Sequence, residues 1–467
     1  MKIDELKLKK QHAEIEKWRK SKLYGSKING CGIFKHVTGF GKTYETCLLI
    51  NKYKEKNPDA KIGIFVAISD KVEDWKEAIV NHCLNTNYIV VETAQYYLYH
   101  NKRDVYDLLI IDEIHTFYST ERLKFITKEI ITYTHILGLT ATPEDENGVY
   151  GSVVKNYCPI VSVITEEEAI INGWISDYVE LNMPVNLTEF EKTRYDHFSE
   201  IIKEKLTLFD GDFKLALNCL SGDKKISNYQ YALSLAIKNG WQRIDYRSSR
   251  VGIDIDNKYN PKIIMDSAKT LITTTQQRKK LLNHLIDKSV VTLDLVEKFK
   301  SKKIMIFSED TKFADSIHNQ IENEFNKSAC KENTFSILYH SSIKSRKITN
   351  DKGKLVTFGI KRLKDWSIKQ IKEGKSNVLI TAKALDAGFN VEDLEIAIIT
   401  SGTSKYIQHK QRSGRTKRSF KDKKSIIVNL YGIDTKEAFS LRKRQSRTNS
   451  SKIIWIKNIN EIDKYIN

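Results

Sequence analysis

Residues 31–53 read CGIFKHVTGFGKTYETCLLINKY, and this stretch decides the fold. CGIFKHV (31–37) is too short for a helix and rich in apolar residues, so it reads as a buried strand. Gly39 and Gly41 then permit a tight turn whose amides face an anion, and the periodic segment from Lys42 to Tyr53 reads as a helix whose N-terminus adds partial positive charge. A strand, a glycine turn and a helix in that order form a phosphate cradle. Lys42 is expected to reach the β and γ phosphates of a nucleotide and Thr43 to place its hydroxyl on Mg²⁺, with Thr38, Phe40 and Tyr44 completing the loop. The pattern GxxxxGK[ST] has one departure, since His36 stands where its first glycine belongs.

Outward from this turn, KIGIFVA (61–67), YIVVE (88–92), YDLLIID (106–112) and HILGLT (135–140) are further short apolar runs separated by periodic, helical segments. That alternation predicts a doubly wound parallel sheet. DEIH (112–115) follows directly on the strand YDLLII, where a nucleotide site of this kind needs acids: Asp112 for the metal and Glu113 to polarise the attacking water. After about residue 185 the rhythm breaks into helical patterns, including a long one from about 267 to 299. KIMIFS, FSILY, NVLIT, LEIAIIT and KSIIVNL then restore it. The expected division is an α/β lobe over 1–185, a helical insert or bridge over 186–299 and a second α/β lobe over 300–467. Residues 343–360, polar and lysine-containing, read as a loop.

The 467 residues carry 77 Lys and Arg against 59 Asp and Glu, a net charge of +18, which favours polyanionic partners. Six scattered cysteines form no CxxC pair, which argues against a zinc site or a disulfide framework. No apolar run long enough to span a bilayer is present, and the N-terminus is charged; a soluble, cytoplasmic protein is expected.

In this order the motifs resemble those of superfamily 2 helicases. DEIH is similar to their DExH box, and GLTATP (138–143) to the motif that couples hydrolysis to strand movement, with Thr140, Ala141 and Thr142 at its positions. VLITAKALDAGFN (378–390) resembles motif V, and QHKQRSGRTKR (408–418) the arginine-finger motif, with Gln411, Arg412, Gly414, Arg415 and Arg418 in register. The resemblance implies two tandem RecA-like domains and an ATP-hydrolysing motor using Mg²⁺. Catalysis would fall to Lys42, Asp112, Glu113, Arg415 and Arg418, and nucleotide contacts also to Gly388, Asn390 and Gln411. Gln11 resembles the glutamine that reads the adenine edge, although Lys9 and Lys10 replace the Arg and aromatic that usually precede it. Thr93, Gln95, Ser341, Thr381 and Lys383 would touch nucleic acid, DNA in preference to RNA and largely without sequence preference.

Within the superfamily the chain looks most similar to UvsW-, RecG- and XPB-type DNA helicases, including phage and viral members, which implies forked or branched DNA in replication, recombination or repair. An RNA helicase or transcript-release factor, and a duplex translocase that does not separate strands, are the alternatives. In the insert, Tyr195, Tyr229, Tyr231, Trp241 and Arg243 read either as a nucleic-acid-gripping surface or as helix core.

Overall fold

A computed structural model describes residues 4–22, 28–142, 149–222, 226–240, 261–325, 334–349, 354–382, 394–402, 424–446 and 448–465. The expected fold class is present: two parallel sheets, each flanked by helices. The first sheet is built from β1 (Cys31–His36), β2 (Ile62–Val66), β3 (Ile89–Thr93), β4 (Asp104–Asp112), β5 (Ile131–Thr140) and β6 (Ile160–Ile164), in the order β3-β2-β4-β5-β1-β6. Its central strands are buried on both faces, which is why they read as continuous apolar runs rather than alternating ones. All pairings are parallel, so the ends of β1, β4 and β5 that carry the motifs emerge on one edge. Ligands of open α/β sheets bind outside the carboxyl ends of the strands.

The second sheet has the order β15-β7-β14-β13-β8-β12-β9. Its strands are β7 (Tyr178–Val185), β8 (Ile304–Ser308), β9 (Ser336–His340), β12 (Val378–Ala382), β13 (Ile396–Ile399), β14 (Ser425–Gly432) and β15 (Ile453–Trp455). β7 departs from the expected division at residue 185, because it pairs with β14 over its whole length instead of joining the first sheet. Side chains fix that choice. Asn182 of β7 bonds Gln445 and Asn429, and Gln445 donates to the buried Glu180 at 2.7 Å. A strand carrying Glu180 and Asn182 inward is stable only where buried partners meet those groups.

Between β7 and β8, helices Glu189–Thr207, Phe213–Ser221, Asn228–Lys238 and Pro261–Asn283 close on a core of their own that includes Ile202, Phe209, Ala216, Ala232 and Leu271. The first opens with a capping box, Thr188 and Glu191 each satisfying the other's backbone N–H. The long helical pattern is two helices, the second Ile286–Lys298, with Leu285 between them outside the helical region at φ −57° and ψ 135°. Residues 343–360 are not a loop throughout: β10 (Arg346–Thr349) and β11 (Leu355–Phe358) form an antiparallel hairpin. Among the described residues no helix is long and apolar enough to cross a membrane, and the five cysteines there are free.

Candidate nucleotide-binding site

The turn after β1 has the geometry the sequence called for. Gly39 and Gly41 have φ of 94° and 96°, a region L side chains rarely enter, and Gly41 is the N-cap of helix Lys42–Lys56 with no side chain capping it. A Cβ on Gly41 would stand 3.4 Å from Gln11 Nε2 and 4.0 Å from Lys7 Nζ, so helix Glu5–Lys20 roofs the loop with a buried amide and an ammonium. Lys42 Nζ donates to the carbonyl of His36 at 3.0 Å, folded over the turn. A helix N-terminus that no side chain caps, two glycines and convergent cations fit a polyphosphate. Lys7 was not foreseen. Burial lowers its pKa, against the pull of Asp4 and Glu45, and its ammonium lies 5.5 Å from the Phe40 ring.

His36, in place of the pattern's first glycine, is fully buried. It stacks on Phe34 at 4.9 Å and meets the edge of Phe40 at 5.2 Å. Its Nδ1 faces Glu45 Oε2 at 2.9 Å and its Nε2 faces Ser162 Oγ at 2.5 Å, and Ser162 donates to Glu14 at 2.7 Å. Burial, then repulsion from Lys42, Lys10 and Lys17, holds the imidazole well below its ordinary range. Burial, then Glu14, pushes the Glu45 carboxyl well above its own. These directions give one consistent proton order: Glu45 donates to His36, His36 to Ser162, Ser162 to Glu14.

At the end of β4, Asp112 accepts from the indole N–H of the buried Trp75 at 3.0 Å, tying it to helix Asp70–His82. Its other oxygen receives the Glu113 amide at 3.0 Å. Glu113 has φ 49°, a left-handed conformation that costs about 1 kcal/mol or more for a non-glycine residue. His115 Nδ1 lies 3.0 Å from Thr140 Oγ1 and 3.4 Å from Glu113 Oε2, and Thr140 Oγ1 is itself 3.4 Å from that oxygen. The Thr142 amide donates to Thr140 Oγ1 at 3.0 Å. Residues 25 and 27 positions apart, from two separate motifs, thus form one hydrogen-bonded cluster; Trp75 and His115 carried no sequence signal of these contacts.

Other expected residues are dispersed. Tyr44 packs edge-on against His82 at 5.0 Å, a contact between helices. Thr93 caps helix Ala94–Tyr99 by accepting the Tyr96 amide, with Gln95 exposed beside it; Ser341 is exposed at the end of β9. Thr381 is buried in β12, with its hydroxyl lacking a partner among the described residues, so its side chain is not presented at the surface as a nucleic-acid contact requires. Tyr195 belongs to the core beneath the second sheet and accepts the Lys436 amide at 2.9 Å; Tyr231 packs in the insert's core, and Tyr229 is exposed. The remaining candidates, Lys383, Gly388, Asn390, Gln411, Arg415 and Arg418, with Trp241 and Arg243, lie outside the described residues.

Residues 279–420 match the helicase conserved C-terminal domain, and residues 81–145 match the type III restriction enzyme res subunit family. The chain is 23% identical over 456 residues to the DNA 3'-5' translocase XPB2 of Sulfurisphaera tokodaii, covering 95% of this chain and 85% of that protein. In fold it is similar to the Pyrococcus furiosus Hef helicase domain (TM-score 0.50, 14% identity, 92% of this chain and 97% of that one). It is also similar to S. cerevisiae Dbp5 bound to RNA and ADP BeF3 (TM-score 0.55, 12% identity, 94% and 88%). With the glycine turn, the acidic strand end and the second parallel sheet in place, the two matched segments are similar to helicase families, and together these matches support a nucleic-acid-dependent ATPase.

Proposed function

We propose that the protein is a DNA translocase or helicase that converts ATP hydrolysis into movement along a strand with little regard to its sequence, acting on forked or branched duplexes in replication, recombination or repair. The observation that carries this reading is the Glu113–His115–Thr140–Thr142 cluster, which joins the water-activating acid to the end of the neighbouring strand. The choice of DNA rests on the similarity to a protein named as a DNA translocase.

Lys42 and the loop amides would hold the triphosphate, Gln11 the base, and Thr43 and Asp112 the magnesium ion. When bound, these groups supply the scissile phosphoanhydride and neutralise its charge. Glu113 orients the attacking water and accepts its proton at Oε2, and His115 and Thr140 report the change of charge to β5. Trp75 fixes the rotamer of Asp112 while leaving one carboxylate oxygen toward the Glu113 amide. Arg415 and Arg418 would approach from the second lobe, making hydrolysis depend on closure.

The test is ATP turnover with single-stranded DNA, duplex, fork and RNA in parallel, with Glu113→Gln as control. Forked DNA should stimulate most, and the substitution should lower kcat by about 10²-fold or more while nucleotide binding persists. Stimulation by RNA alone would replace the DNA reading with that of an RNA helicase, and turnover untouched by Glu113→Gln would remove the assigned mechanism.

A further inference from the structure

The hairpin β10–β11 follows directly on the exposed Ser341 at the end of β9, and the reading above leaves it without a role. Its strands alternate strictly. Ile348, Val356 and Phe358 pack with Ile343, Leu363 and Trp366 into a small apolar cluster, which turns Lys347 and its partner Thr357 outward. Residues 341–364 hold eight Lys or Arg against one acid, Asp351, so this projection is far more basic than the chain as a whole.

Clustering in sequence, together with the lack of acidic partners, separates these cations from others on the surface. Some exposed lysines elsewhere sit beside an acid three residues earlier, as in Lys76–Glu73, Lys124–Glu121 and Lys300–Glu297, and ones unpaired among the described residues, such as Lys56, Lys155 and Lys457, are scattered along the chain. Lys344, Lys347, Lys361 and Arg362 are exposed and make no ion pair among the described residues. At the hairpin's base lies a cavity of about 310 Å³ lined by Asp315, Asn319, Ser342, Lys344 and Arg346 among others. Asp315 is already engaged by His340 at 3.0 Å. Arg346, its guanidinium 5.4 Å from the Trp366 ring, has a buried Nε with no hydrogen-bond partner among the described residues. A two-stranded hairpin with Lys347 on its outward face, unpaired cations just before and after it, and at its base a guanidinium whose Nε has no partner among the described residues matches a chain of phosphates.

We propose that β10–β11, with Lys344, Arg346, Lys347, Lys361 and Arg362, is a second phosphate-contacting surface of the motor that grips the sugar–phosphate backbone of its nucleic-acid track. This rests on the protein acting on nucleic acid and adds the element that holds it. Contacts of this kind position a strand without reading sequence, and each phosphate neutralised on a duplex adds about 0.9 to the slope of log K against log salt.

Two measurements test it. In the full-length protein, lysine acetylation read by mass spectrometry should show Lys344, Lys347 and Lys361 protected by a bound oligonucleotide and Lys56, Lys155 and Lys457 unprotected. Single-stranded DNA, duplex DNA and RNA of equal length serve as separate arms, and the polymer that protects identifies the track. Second, the triple variant Lys344→Gln, Lys347→Gln, Lys361→Gln should bind that polymer about tenfold or more weakly at 0.1 M salt, with a salt slope reduced by about 2 to 3. A matched variant, Lys56→Gln, Lys155→Gln, Lys457→Gln, should keep the slope. Equal loss in both triples, or lysines acetylated alike with and without bound polymer, overturns the hairpin's role while leaving the motor reading intact. Absence of binding and of ATPase stimulation by every polymer overturns both.

Discussion

His36 shows how one departure from a motif reorganises the chemistry around it. A glycine at that position would leave Glu45 and Ser162 facing an empty space; the imidazole instead bridges them in a fully buried chain that ends on Glu14 in the N-terminal helix. The raised Glu45 pKa makes stability depend on pH. The folded state holds the Glu45 proton more tightly than the unfolded chain, so this contribution is complete below about pH 4.5 and is lost as pH rises toward the folded pKa. Glu45→Gln keeps a donor for His36 Nδ1 but has no proton to lose. The variant's melting temperature should therefore gain on the wild type between pH 5 and pH 8, by on the order of 2 °C for each kcal/mol removed. A difference that stays constant, or that favours the wild type at pH 8, would show that Glu45 is ionised in the folded protein. The depressed His36 pKa acts in the opposite sense, costing stability as pH falls below about 6.5.

At the scale of elements, buried polar pairs decide which strands and helices belong together. Helix Ile286–Lys298 is fastened to helix Lys436–Arg444 by Lys288, wholly buried, whose Nζ reaches both Glu437 oxygens at 2.8 and 2.9 Å and the Leu282 carbonyl at 2.7 Å. Burial lowers the Lys288 pKa while Glu437 restores part of it. Glu437 also accepts the Gly432 amide, so removing the lysine leaves a carboxylate facing an apolar chain end. Lys288→Met should destabilise the protein by about 3 kcal/mol, seen as a lower urea midpoint at unchanged slope. A loss below about 1 kcal/mol would place the pair with ordinary surface bridges. The hairpin β10–β11 is the other element the residues concealed. Each of its strands is only four residues long, and the polar outward positions dilute the period-two signal of Ile348, Val356 and Phe358.

Across the whole molecule, the proposed motor needs its two sheets to act on one nucleotide. Arg415→Ala should lower kcat by about 10³-fold or more and leave nucleotide affinity within about threefold, because a finger from the second lobe stabilises charge that develops only during phosphoryl transfer. Stopped-flow binding of a fluorescent ADP beside steady-state turnover separates the two, and an equal loss of both would demote Arg415 to a binding residue. The sequence by itself determined the two parallel sheets, the phosphate turn and the acids of DEIH, because each is a local pattern: an apolar run, glycines where φ turns positive, a carboxylate at a strand end. Tertiary structure alone decided that β7 crosses to the second sheet, that Trp75 holds Asp112, that His115 meets Thr140 and that Tyr195 is core. These depend on which buried group finds a partner far along the chain, and no short window of residues carries that information.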